Sequence, residues 1–142
     1  MSVEGKGDQA KGSEGDGKVT LKLAFQVARV KKPLLAVHRI TEKGNEVMFG
    51  PKPGDNFIRN PDNGKCIPLR PNGNGSYMLD VMMNGKKREI TVDSGAEENV
   101  CPWGWGQEFG CDENVPELKF TGANGSFIPH YGQRTVMVSS VF

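Results

Sequence analysis

At 142 residues and a formal net charge of +1, the chain has the length of one domain. That charge leaves no excess for a broad nucleic-acid or acidic-membrane surface. Nineteen glycines and nine prolines accompany a 36% hydrophobic content, which argues against a helical bundle and for a β-rich domain dense in tight turns. No apolar run approaches membrane-spanning length, so no membrane partner is expected. Cys66, Cys101 and Cys111 form an odd set without CxxC spacing. That pattern points to reduced thiols in an intracellular setting rather than a disulfide framework or a zinc knuckle.

Residues 1–17 are glycine and charge with almost nothing to bury, so an unstructured tail or linker is expected ahead of a domain over 18–142. Order begins at Lys18. Val19, Leu21, Leu23, Phe25 and Val27 alternate with mostly polar or small residues, the period of a strand with one buried face. Lys31-Lys32-Pro33 interrupts it. Residues 33–44 read as a buried turn followed by a short helix closed by Gly44. Val47-Met48-Phe49 and Asn56-Phe57-Ile58 are short strands, a turn at residues 60–64 leads to Cys66-Ile67-Pro68-Leu69, and another turn lies at residues 72–75. Residues 76–83 form a strand, Asn84-Gly85 is a strong hairpin signal, and Arg88-Glu89-Ile90-Thr91-Val92 is the return strand. A Trp/Gly loop at residues 103–106, a strand at 118–121, a hairpin tip at 122–126, a return at Phe127-Ile128 and a last strand at 135–138 complete the chain.

The return strand runs straight into Asp93-Ser94-Gly95-Ala96. A carboxylate there stands at the mouth of a buried sheet, Ser94 can hydrogen-bond within the turn, and Gly95 permits a backbone geometry that a side chain would block. Two such turns facing each other hold two carboxyls that cannot both ionise easily and so share a proton. One carboxylate then takes a proton from water while its protonated partner donates to a scissile carbonyl. The chain has one Asp-Ser-Gly, so the second must come from another subunit.

Asp93-Ser94-Gly95-Ala96, the acidic pair Glu97-Glu98, the small polar Asn99 and apolar Val100 together resemble the active-site turn of retropepsin-like aspartic proteases. The Gly-rich hairpin over residues 121–128 is similar to that family's mobile flap. The resemblance covers most of residues 18–142 in permuted order, with 18–83 matching the family's C-terminal half and 86–142 its N-terminal half. It resembles the protease segments of retrotransposon polyproteins, with new ends in a loop between Phe142 and Lys18. The Asn84-Gly85 hairpin would join the family's last strand to its first.

The resemblance implies an all-β acid-protease barrel with one short helix, circularly permuted and active as a homodimer. It implies an aspartic endopeptidase that cuts extended peptides of a polyprotein, in the cytoplasm or a retroelement particle, with no cofactor, metal or nucleic acid required. Asp93 resembles the catalytic aspartate, Ser94 the hydroxyl residue that braces the two loops across the dimer, and Gly95 the residue whose carbonyl holds the peptide. Ala96, Glu97 and Glu98 fall in the substrate-binding stretch, the two glutamates one methylene longer than the family's usual aspartates. Gly122, Ala123, Asn124, Gly125, Ser126 and Phe127 fall in the flap.

Two departures stand out: Ala36 where the family has Gly, and Val37 where it often has an Arg paired to an acidic residue. They keep open a catalytically weak or inactive module used for dimerisation or peptide binding. Also open is the threading, with residues 18–83 and 86–142 in one lobe or, slightly favoured, exchanged between two. Met82-Met83 is expected in the dimer sheet, Trp103 and Trp105 in loop packing, and His38 and His130 as surface or capping residues. The basic runs Lys31-Lys32 and Lys86-Lys87-Arg88 read as solvated turns, although contact with RNA is conceivable. A zinc site from Cys101, Cys111 and a histidine is disfavoured, since no close ligand pair exists.

Overall fold

The computed structural model describes residues 2–4, 19–122 and 124–141, mostly β-strand with one short helix. β1 (Ser2–Glu4) pairs antiparallel with the start of β2 (Thr20–Ala28). Those three residues belong to the segment expected to be unstructured. Backbone pairing to a sheet edge needs no apolar side chain, so composition gave no hint of it. Residues 1 and 5–18 lie outside the described residues. On β2 the expected alternation holds, with Leu21, Leu23, Phe25 and Val27 fully buried.

Next come β3 (Leu34–Ala36) and helix α1 (Val37–Glu42), which stops before Gly44 as expected. Residues 34–36 were expected in a turn. They are instead a strand, too short to show periodicity, recruited by neighbours on both sides. β4 (Glu46–Met48), β5 (Phe57–Arg59) and β6 (Cys66–Pro68) make a separate antiparallel sheet. β7 (Arg70–Pro71) edges β8 (Tyr77–Met83), which turns at Asn84-Gly85 into β9 (Lys86–Asp93). Both turn residues have positive φ, 51° and 81°, the geometry of a type I′ hairpin that favours Asn-Gly. β10 (Val100–Cys101), the small hairpin β11 (Phe120–Thr121) and β12 (Phe127–Ile128), and the long β13 (His130–Ser140) follow.

The main sheet runs β1-β2-β10-β3-β9-β8-β13, and β13 also pairs with β2 from His130 opposite Ala28 to Ser139 opposite Thr20. The hydrogen-bonded path therefore returns to β2. The two stretches of chain interleave, because β10 lies between β2 and β3 while β3 lies between β10 and β9. Leu21, Leu23, Phe25, Leu35, Leu79 and Ile90 form the centre of one shared core. Met83 is part of that core. It faces inward on β8 beside β9.

Arg134 is 2% exposed on β13. Its guanidinium donates to the carbonyl oxygens of Gly110 at 2.7 Å and Trp103 at 2.9 Å, and also to those of Pro102 and Trp105. Burying a cation is tolerable only when its lost hydration is replaced. Here loop carbonyls replace it and the cation in turn fixes the Trp103–Gly110 loop. Beside it, Gly132 has a φ of 150°, and a Cβ there would meet the Asp112 carbonyl oxygen at 2.5 Å. A bulge at this point lets Gln133 exchange two backbone hydrogen bonds with Asp112.

Two substitutions test this account by denaturant unfolding. Leu35→Ala, which empties a fully buried site between β9 and β10, is expected to cost about 2–5 kcal/mol. Arg134→Met keeps bulk but strands the carbonyls it served, and is expected to cost about 1–3 kcal/mol.

Candidate functional site

β9 delivers the candidate acid. Ile90, Thr91 and Val92 are buried, and Asp93 is half-buried at the strand's end, where the sheet opens to solvent. The Gly95 N–H donates to Asp93 Oδ1 at 2.8 Å, so the turn itself orients the carboxylate. Ser94 and Gly95 are exposed. Beneath the turn β3 runs parallel to β9, with Leu34 opposite Thr91, Leu35 opposite Val92 and Ala36 opposite Asp93.

The far end of the loop is secured by Asn99, 6% exposed. Its Oδ1 accepts the Ala36 N–H at 2.8 Å, its Nδ2 donates to the Ala24 carbonyl at 3.1 Å, and its own carbonyl accepts the Gln26 N–H at 2.8 Å. Helix α1 holds the middle. His38 Nε2 lies 2.6 Å from the Glu97 carbonyl oxygen, so that nitrogen carries the proton. His38 is therefore a loop tether, not a free surface side chain. Arg39 bridges Glu42, at 2.8 Å, and Glu98. Donating to these two carboxylates holds the guanidinium still more firmly charged, and the Arg39 contact pulls Glu42 below the usual carboxylate range. The Arg39 Nε is buried without a partner.

Two clefts open on either side of the loop. One, of about 520 Å³, lies between Gly95, Ala96, Glu97 and Glu98 on one wall and Leu118–Thr121 with Ile128 on the other. The second, of about 390 Å³, is bordered by Asp93, Ser94, Thr91, Leu34, Tyr77 and Lys32, with Phe49 stacked edge-on against Tyr77 at 4.4 Å. The Gly-rich hairpin thus faces the Glu97-Glu98 loop through its base. Its tip, closed by the Gly122 N–H to the Ser126 carbonyl at 2.8 Å, points outward with Phe127 57% exposed. Asn124, Gly125 and Ser126 are exposed with it, Gly122 is half-buried, and Ala123 lies outside the described residues. The structure therefore gathers Asp93 to Glu98 with the hairpin base, and leaves the expected tip residues away from the cleft walls.

His130 ties that base down. Its Nδ1 accepts the Leu118 N–H at 3.0 Å, which puts the ring proton on Nε2, 2.8 Å from Gln26 Oε1. Phe120 meets the same ring edge-on at 5.6 Å. Leu118 and Phe120 are cleft residues, so His130 positions one wall from behind.

The sequence offered no signal for Gln26, Arg39 or His130, whose partners lie far away in the chain. Asn99 did leave a trace, as a polar residue immediately before an apolar pair. Where Val37 departs from the family pattern, Arg39 two positions later supplies a cation to Glu98. Among the described residues no cluster of His, Cys, Asp and Glu is arranged to hold a metal, and no helix is long and apolar enough to cross a membrane. Comparison with family models, with curated proteins and with solved structures gave no match.

Cys101 is buried beneath the loop, and desolvation pushes its thiol up to about 11, against the opposing pull of Arg134. Cys66 is exposed. Alkylation of the native protein at mildly alkaline pH, read by peptide mass mapping, should modify Cys66 and spare Cys101. Asn99→Leu, of similar size, leaves the Ala36 N–H and the Ala24 carbonyl unpaired. It should cost about 1–3 kcal/mol in thermal unfolding.

Proposed function

We propose that the chain is one protomer of a homodimeric aspartic endopeptidase with a circularly permuted retropepsin-like barrel. The observation that carries this reading is Asp93. It is an oriented carboxylate at the open end of a buried strand, braced from below by β3 and flanked by two clefts of side-chain size. The chain has one Asp-Ser-Gly, so the reaction needs a second copy that brings its own Asp93 across a two-fold axis. Exposed Ser94 and Gly95 leave the loop free to meet its twin.

In that dimer the paired carboxyls hold one proton between them, because two like charges in contact cannot both ionise. The ionised member takes a proton from water as its oxygen attacks the scissile carbonyl carbon. The protonated member donates to the carbonyl oxygen, giving a gem-diol. Protonation of the amide nitrogen then breaks the C–N bond. An extended peptide lies along the cleft between the Glu97-Glu98 loop and the hairpin base, its backbone in reach of Gly95 and the two glutamates. The polyprotein in which such a segment is made is the natural substrate on this reading.

The strand pairings support both the barrel and the permutation. The path from β2 through β10, β3, β9, β8 and β13 comes back to β2. The end of β13 lies beside the beginning of β2, as expected if a hairpin between them had been opened. The Arg39–Glu98 pair, a cation on the loop's acid of the kind looked for at Val37, supports the active reading.

The purified protein should sediment as a dimer and cut members of a mixed peptide library at about pH 4 to 6. Asp93→Asn should abolish cleavage and leave the dimer intact, and a statine-type transition-state mimic should inhibit the unaltered protein. Cleavage that persists in Asp93→Asn, or a protein monomeric at all working concentrations, would remove the proposal.

A further inference from the structure

The two clefts beside the Asp93 loop differ in charge. The one under the hairpin base has Glu97 and Glu98 on its wall, answered by Lys119. In the other, which Asp93 and Ser94 themselves border, Asp93 supplies the only carboxylate and Lys32 the only cation. Lys32 also borders an adjoining cleft of about 400 Å³, where Lys31 and Arg88 add positive charge and no carboxylate is present. With Asp93 committed to the shared-proton pair, Lys32 is the charged group left to meet a substrate at this end of the loop. It is exposed and forms no ion pair among the described residues. Its backbone is anchored all the same. The next residue, Pro33, is buried, and its carbonyl accepts the N–H of Thr91, two residues ahead of Asp93 on β9, at 3.2 Å.

The rest of this cleft suits the methylenes of a side chain. Leu34 and the edge-on pair Phe49 and Tyr77 give it apolar walls, and about 390 Å³ holds a whole side chain. The Thr91 hydroxyl is already turned to Met78 Sδ at 3.7 Å. A short aliphatic residue would use the walls and leave the ammonium unpaired, and a basic one would bring like charge to it. A glutamate lays two methylenes against the aromatic wall and brings its carboxylate to Lys32.

We infer that Lys32 is a specificity-determining residue that selects glutamate beside the scissile bond of the substrate. The inference rests on the peptidase reading, because a peptide whose carbonyl meets Asp93 sets a neighbouring side chain in the cleft that Asp93 lines. The two-fold axis of that dimer supplies the same cleft from each protomer, so the selection applies to the residue on either side of the cut. Lys32 decides which bond is presented and takes no part in breaking it.

The test is a cleavage-site profile. The full chain is incubated with a mixed peptide library at about pH 6, where a free glutamate is ionised, and the new peptide ends are read by mass spectrometry. Glutamate should be enriched about fivefold over glutamine at the residues flanking the cut, the size expected of an ion pair at a partly exposed site. Glutamate and glutamine have the same length and the same methylenes, so their ratio reports the charge. Lys32→Gln should erase the difference, and Lys32→Glu should turn the preference to lysine and arginine. Lys22→Gln, an exposed position on β2, should keep the glutamate preference of the unaltered chain. Cuts spread evenly over glutamate and glutamine, or a glutamate preference that survives both Lys32 variants, overturn this inference and leave the peptidase reading standing. A chain that cuts no member of the library overturns both.

Discussion

A single buried amide decides where the Asp93 loop can go. Asn99 bonds to β3 through Oδ1, to β2 through Nδ2, and to β2 again through its own carbonyl. Each of these backbone groups would otherwise face the interior unpaired, and the cost of that is what makes the arrangement specific rather than merely favourable. Because β3 also pairs with β9 as far as Ala36 opposite Asp93, the amide fixes both ends of the loop relative to one three-residue strand. Helix α1 then starts directly from Ala36, so the His38 and Arg39 contacts to Glu97 and Glu98 inherit that placement. The carboxylate is thus positioned by rigid elements, although it lies on a loop.

This dependence explains why some of the architecture could be read from the chain and some could not. β2 and the β8–β9 hairpin are visible because their information is local. β2 carries four alternating apolar residues, and Asn-Gly is the pair that tolerates two successive positive φ values. The Asp93 turn is legible for the same reason, since the Gly95 N–H reaches back only two residues. Strands β3 and β10 hold three and two residues, below the length at which a period shows. They exist because neighbours from distant parts of the chain complete their hydrogen bonds. The His130–Leu118 and Arg134 contacts are likewise tertiary, and a lone His or Arg in an alternating strand gives no sign of what it will meet.

The same logic accounts for the departures from the expected motif. Val37, at the position where a cation was looked for, is the first residue of α1, and Arg39 two residues later reaches Glu98 instead. What the loop needs is a donor to a carboxylate on its underside, and a short helix can supply one from more than one position. Glu98 is long enough to meet that guanidinium from the loop above the helix. The short apolar strand beneath is less tolerant, because Leu35 and Ala36 are fully enclosed there and any gain in volume meets packed neighbours.

The seam between β13 and β2 shows the same division between backbone pairing and side-chain bracing. Ser140 donates its N–H to the Val19 carbonyl and its Oγ accepts the Val19 N–H at 3.0 Å, so β13 and β2 stay stitched to their last residues without a covalent turn between them. A break between Asp93 and Val100 would free the segment whose two ends Asn99 and β3 hold together, and with it the orientation of the Asp93 carboxylate. The β13–β2 seam is therefore held by paired backbone along its length, whereas the Asp93 loop depends on a single side chain to complete its bonds.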